Sequence, residues 1–293
     1  MRVGAFELVE PLPKLREPHV LATLQPWIDA GSVGTLVFSW LESQFTAIDL
    51  AELVRPGDFF DFTRYRPTSY YKEGQRQLII PNTRISYLTQ NTGNDLLLVH
   101  LLEPHSHGED YVDSVLQVLE KLEVKSYTLI GSMYDYMPHT RPLIVTGSLG
   151  ANQTEQEANK LGIRRSHYQG PSTITALISQ RASLAGVKTM RFVVHLPQYT
   201  QLEEDYMGAV RIIEVLSLLY GLPKNETYIN NAERQKEQII DALEKNPQLK
   251  TVVEQLENHY DSPTERTREE EMPRLSPEVE SFLAEMDRRF RED

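Results

Sequence analysis

The sequence predicts an α/β fold: a three-layer α/β/α core on a largely parallel sheet, followed by a C-terminal helical extension. Two observations carry this expectation. Apolar runs of five to seven residues, such as LLLVHLL at 96–102, alternate with segments of helical period, and near-continuous apolar strands suit a sheet covered on both faces. Beyond Pro223 the strand signals stop and charged, narrowly amphipathic segments take over.

In order along the chain, a Pro-rich entry leads to SVGTLVFSWLESQFTAI. Val33, Leu36, Val37, Trp40, Leu41, Phe45 and Ile48 recur there at steps of three and four, the helical period. RPGDFFDFTRYRP reads as loop, and QLIIP and RISYLT as strands. After the strand LLLVHLL, Val112, Val115, Leu116, Leu119 and Leu122 fall on one helix face, and SYTLIG is a strand that Gly131 ends. The alternation continues through the strand LIVTGS, the helix NQTEQEANKLG, a short SHYQ segment, the helix STITALISQRASLAG, the strand TMRFVVHLP and the helix EDYMGAVRIIEVLSLLYG.

These elements define a core over 1–223. EQIIDALEKN and PQLKTVVEQLENHY form a helical appendage over 224–260. DSPTERTREEEMPRLSP, with three prolines and eight charges, reads as a flexible linker over 261–275. A short helix over 276–293 gathers Val279, Phe282, Leu283, Met286 and Phe290 on one face; a helix of that length needs a surface to dock on.

Composition narrows the function classes. The 293 residues include no cysteine, which excludes disulfides, thiol catalysis and Cys-based zinc sites. The net charge of −12 argues against a phosphate-tracking, nucleic-acid-binding surface. From Lys224 onward 18 acids face 11 bases, so the extension carries over half of the excess. No apolar stretch reaches the ~20 residues of a membrane span, and MRVGAFELVEPLP lacks a signal core. A cytoplasmic protein without membrane or nucleic-acid partners is expected.

Several segments invite a chemical reading beside a structural one. His105 and His107, followed by Glu109 and Asp110, have the residue types of a metal site, but a loop between Pro104 and Gly108 does not align them, and a solvated loop is favoured. His100, His167 and His195 read as core histidines. TGSLGANQTE has the strand–glycine–helix order of a phosphate turn without its full fingerprint, and a helix cap is favoured. Ser132 and Ser148 lack the Gly-x-Ser-x-Gly spacing of a hydrolase elbow. Ser172 or Thr173 is placed to cap a helix, or to hold an anion at the sheet edge.

GSMYDYMPHTRP at 131–142 is the richest stretch. Asp135, His139 and Arg141 could serve as acid, base and anion clamp, or Arg141 could tie the loop to nearby acids and carbonyls, the favoured reading. A ligand pocket at the strands' carboxyl ends would draw on Asp29, Asp135, His139, Arg141, Ser172 and Tyr199. No metal and no cofactor are expected.

WIDAG at 27–31, DFTRYRP at 61–67, GSMYDYMPHTRP, GPSTITALISQRASLAG and HLPQYTQLEEDYMGAVRIIEVLSLLYGL occur in the order found in the proteasome assembly chaperone 2 family. The chain resembles that family's bacterial and archaeal branch over about residues 1–222. The resemblance implies a phosphorylase/hydrolase-like α/β/α core with a helical extension, and protein partners or self-association as a homo-oligomer, a trimer being one form. It favours a chaperone-like interaction protein without catalysis over the alternative of a small-anion binder or hydrolase. Two departures stand out. Relatives that dock on the proteasome end in a hydrophobic-Tyr-any tripeptide, whereas Arg291-Glu292-Asp293 stands here, and Pro197-Gln198-Tyr199 replaces a frequent Pro-His-Tyr.

Overall fold

The computed structural model describes residues 1–90, 93–150, 155–166, 168–244 and 247–262. The predicted linker from residue 263, the terminal helix over 276–293 and His167 lie outside the described residues. So do residues 151–154 of the TGSLGANQTE turn.

The chain opens with strands β1 (Arg2–Val3), β2 (Phe6–Leu8) and β3 (His19–Gln25), helix α1 (Val33–Phe45) and strand β4 (Ile48–Leu53). A separate hairpin of β5 (Thr68–Lys72) and β6 (Gln75–Ile79) precedes β7 (Arg84–Leu88), β8 (Leu96–Leu102) and α2 (Gly108–Lys121). Next come β9 (Ser126–Asp135), β10 (Val145–Ser148), α3 (Glu155–Lys160), β11 (Ile163–Arg165), α4 (Ile174–Leu184), β12 (Lys188–Pro197) and α5 (Tyr206–Tyr220). Two further helices, α6 (Glu226–Glu244) and α7 (Pro247–Asp261), close the described chain.

Ten strands form one sheet in the order β1-β2-β4-β7-β8-β3-β9-β12-β10-β11. The expected largely parallel sheet is in fact mixed. Parallel pairing is confined to β8-β3-β9-β12 and to β10-β11, while the flank from β1 to β8 and the β12-β10 pair are antiparallel. For β7 and β8 the reason is connection length: residues 89–95 between them are too few for a parallel crossover, which takes a dozen or more.

Side-chain alternation divides the core. Val20, Ala22 and Leu24 of β3, with Leu97, Val99 and Leu101 of β8, join a cluster that includes Val112 and Val115 of α2 and Ile178 and Ala182 of α4. Leu21, Leu96, Leu98 and Ile130 belong to a second cluster with Val37 and Leu41 of α1 and Ile212 and Leu216 of α5. A third, smaller cluster joins Tyr199 to Leu243 of α6 and to Val252, Val253 and Leu256 of α7.

Three local readings change. Ile48 does not continue α1: Thr46 takes a left-handed conformation that ends the helix, and Ile48 opens β4. Gly131 does not end its strand, because β9 runs in register with β12 as far as Asp135. Ahead of the short SHYQ segment, Ile163–Arg165 forms strand β11, which the sequence reading did not mark. Gly147 lies within β10, where a Cβ would overlap the carbonyl of Arg191 on β12; close strand approach accounts for this glycine.

Candidate functional site

The corner at 131–142 leaves the carboxyl end of β9, and its polar groups are committed to neighbours. Asp135 is at the last position of the strand. Its Oδ1 accepts the N–H of Tyr136 at 2.7 Å, and its Oδ2 lies 2.7 Å from Nδ1 of His195 on β12. Burial pushes this carboxyl up, but the hydrogen bond and charge of His195, the Tyr136 N–H and the charge of His259 outweigh it, and the net shift is downward. The other nitrogen of His195, Nε2, is 2.8 Å from Oγ1 of Thr146 on β10.

His139 is buried against Tyr199. The Tyr199 hydroxyl accepts the His139 backbone N–H at 2.7 Å, which leaves its own hydrogen to donate to Nδ1 at 2.6 Å. The imidazole proton therefore sits on Nε2, which has no partner among the described residues. Burial, then Lys236, lower the pKa of this histidine against an opposing pull from Glu257, so the ring is held neutral.

Arg141 reaches α7. Its Nε lies 3.1 and 3.2 Å from the two carboxylate oxygens of Asp261, its Nη2 2.6 Å from Oδ2 of Asp261, and its Nη1 3.3 Å from Oε1 of Glu257. Thr140 donates its hydroxyl to the same Glu257 oxygen, and the Tyr260 hydroxyl donates to the Pro142 carbonyl at 3.1 Å. The fork that could clamp an anionic ligand thus holds α7 against this corner.

Asp29 and Ser172 are placed elsewhere. Asp29 accepts the Gly34 N–H and the Thr35 hydroxyl, each at 2.5 Å, at the start of α1. Burial nevertheless raises its pKa. Ser172 is exposed ahead of α4, whose first turn is served by Glu103 instead: the Glu103 carboxylate accepts the Ile174 N–H at 2.9 Å. The structure therefore brings Asp135, His139, Arg141 and Tyr199 into one region around α7, and leaves Asp29 and Ser172 at two helix starts. A cleft of about 270 Å³ lined by Arg2, Arg55, Phe59, His107 and Asp110 contains none of the six. Among the described residues no three His, Cys, Asp or Glu are grouped to share a metal, and no helix is long and apolar enough to cross a membrane.

The model of the PAC2 family matches residues 23–244. The chain belongs to the PAC2 family. No curated protein matches it, but solved structures share its fold. A protein of unknown function from Corynebacterium glutamicum superposes with a TM-score of 0.78 at 21% identity, covering 90% of this chain and 99% of its own. A proteasome-assembly chaperone homologue from Mycobacterium tuberculosis has a TM-score of 0.71 at 22% identity, over 80% of this chain and 99% of its own. PbaB, an archaeal proteasome activator from Pyrococcus furiosus, has 0.64 at 14% identity, over 83% and 100%.

In this PAC2 chain, two groups around the corner escape a reading of residue types. His195 and Thr146 are 49 positions apart and meet only through strand register. The acids that engage Arg141 stand 116 and 120 positions downstream, on a helix whose docking face the sequence does not mark.

Proposed function

We propose that the chain is a cytoplasmic protein-interaction module of the proteasome-assembly-chaperone type, which self-associates and presents its acidic helices to a protein partner. Family membership and the fold shared with a chaperone homologue and a proteasome activator support this reading. We read the core as an α/β/α sandwich over 1–223 that carries a helical appendage over 224–260.

The observation that carries the reading is the β5-β6 hairpin. All residues from Arg66 to Ile80 are exposed, and Tyr71, Leu78, Ile79 and Ile80 are 77%, 60%, 56% and 49% accessible. Register places Tyr71 and Leu78 on one face, and Tyr70 and Ile79 on the other. A two-stranded hairpin is marginal alone in water, and one that is apolar on both faces gains stability by lying against another surface. Residues 55–80 hold five basic side chains (Arg55, Arg64, Arg66, Lys72, Arg76) and three acidic ones (Asp58, Asp61, Glu73), in a chain of net charge −12. A second copy of this acidic molecule offers the complementary charge.

Sedimentation velocity and native mass spectrometry of the purified chain test the reading, alongside affinity capture from the source cell. A discrete homo-oligomer, or a stoichiometric partner, is expected. Changing Tyr71→Lys together with Leu78→Lys should abolish self-association and leave the core's unfolding midpoint in place. A monomer that captures no partner overturns the proposal.

A further inference from the structure

Beyond the interaction role, we propose that Thr146, His195 and Asp135 form a nucleophilic relay that hydrolyses acyl esters carrying an anionic group. The three side chains come from the adjacent strands β10, β12 and β9 and lie in the carboxyl half of the parallel strands β12 and β9, toward the end at which open α/β sheets take their ligands. The spacing is that of a hydroxyl–imidazole–carboxylate chain: 2.8 Å from Thr146 Oγ1 to His195 Nε2, and 2.7 Å from His195 Nδ1 to Asp135 Oδ2.

Proton placement follows from the partners. Asp135, held ionised, can only accept, so Nδ1 of His195 carries the hydrogen. Nε2 then offers a lone pair, and Thr146 donates its hydroxyl hydrogen to it. This is the arrangement in which a base can take the proton of an attacking hydroxyl. On this face of the sheet the buried apolar residues of β9 stop at Leu129, and Met133, beside His195 in register, is 43% exposed. The His195 and Asp135 side chains are 13% and 40% accessible. Arg164 of β11 lies directly opposite Thr146 and is exposed, so its side chain leaves the same face. Its guanidinium is 5.8 Å from the Tyr260 ring centroid, and on this proposal that positive charge selects an anionic substrate.

In the reaction the Thr146 oxygen bonds to the ester carbonyl carbon while His195 Nε2 takes the hydroxyl proton. Collapse of the tetrahedral adduct breaks the bond to the leaving alcohol, which receives that proton. Water then repeats the sequence on the acyl-threonine, releasing the carboxylic acid and restoring the hydroxyl. Thr146 and His195 touch the reacting atoms; Asp135 is a positioning residue that fixes the tautomer.

The full-length chain would be treated with a fluorophosphonate probe and read by intact-protein and peptide mass spectrometry. Hydrolysis of p-nitrophenyl acetate and p-nitrophenyl hemisuccinate would be followed in parallel. One adduct on Thr146 is expected, with the anionic hemisuccinate preferred and the preference lost in Arg164→Gln. His195→Gln should lower hydrolysis by about a hundredfold or more, and Asp135→Asn should lower kcat with KM retained. Thr146→Val should lose the adduct while Thr146→Ser keeps it, which separates lost chemistry from lost folding. No adduct on Thr146, or hydrolysis unchanged in Thr146→Val, overturns the proposal. The result is independent of the oligomeric state, so the interaction reading stands or falls separately.

Discussion

Asp205 begins α5 with its carboxylate fully buried. Its Oδ1 accepts the Gly208 N–H at 2.7 Å, its backbone N–H donates to the Gly31 carbonyl at 2.8 Å, and its Oδ2 has no partner among the described residues. Gly31 has a φ of +57°, and a Cβ there would lie 2.7 Å from the Asp205 Cβ, so only glycine fits between the starts of α1 and α5. Burial raises the pKa of Asp205. The folded chain thus keeps this proton at a pH where the unfolded chain has released it. Its contribution to stability is fully present below the unfolded value of about 4 and is lost as pH rises through the folded one. Asp205→Asn removes that titration while retaining a capping oxygen. In denaturant titrations between pH 4 and 7, the variant should gain stability relative to the parent as pH rises; a constant difference across the series would refute the assignment.

At the scale of elements, α7 is attached by a small apolar cluster together with the Arg141 fork, Thr140 and Tyr260. Arg141→Lys keeps the charge and loses the fork geometry. Amide exchange should then quicken in α7 and stay unchanged in β3, β8 and β9, since local opening draws on local contacts; equal protection in both proteins would show that the apolar cluster alone suffices. The elements most legible from sequence are β8, β9, β12, α2 and α5, whose apolar runs and periods are unbroken. β3 was hidden because HVLATLQ follows a Pro-rich stretch and carries Thr23 and Gln25, and β4 because Ile48 continues the helical spacing across a turn made by Thr46 rather than by glycine. In the candidate corner, residue types alone drew notice to Asp135, His139 and Arg141. Their direction was set by α7 and by the register of three strands, which one segment read alone does not contain.

For the whole molecule, the alternation of strands and helices conveyed an α/β fold, and the loss of strand signals after Pro223 agrees with the two helices, α6 and α7, described there. The antiparallel flank was not legible, because strand direction depends on connection length and on which neighbour a strand finds. Charge organises the exterior: a hairpin segment with five bases against three acids projects from a molecule of net charge −12. If that segment lies on the acidic body of a second copy, association should weaken with salt. Raising ionic strength from 0.1 to 1 M shortens the screening length from about 10 to about 3 Å, and sedimentation velocity at the two concentrations should show a shift toward monomer. Association that holds or strengthens would assign the contact to the apolar faces alone.

The sheet that organises this molecule tapers at both ends, to two residues in β1 and three in β11. Edges that short offer a passing chain almost no free backbone to template on, so strand-by-strand accretion into fibres is discouraged at either margin. With margins this short, contact between the ten-stranded sheet and other molecules falls to side chains rather than to free backbone.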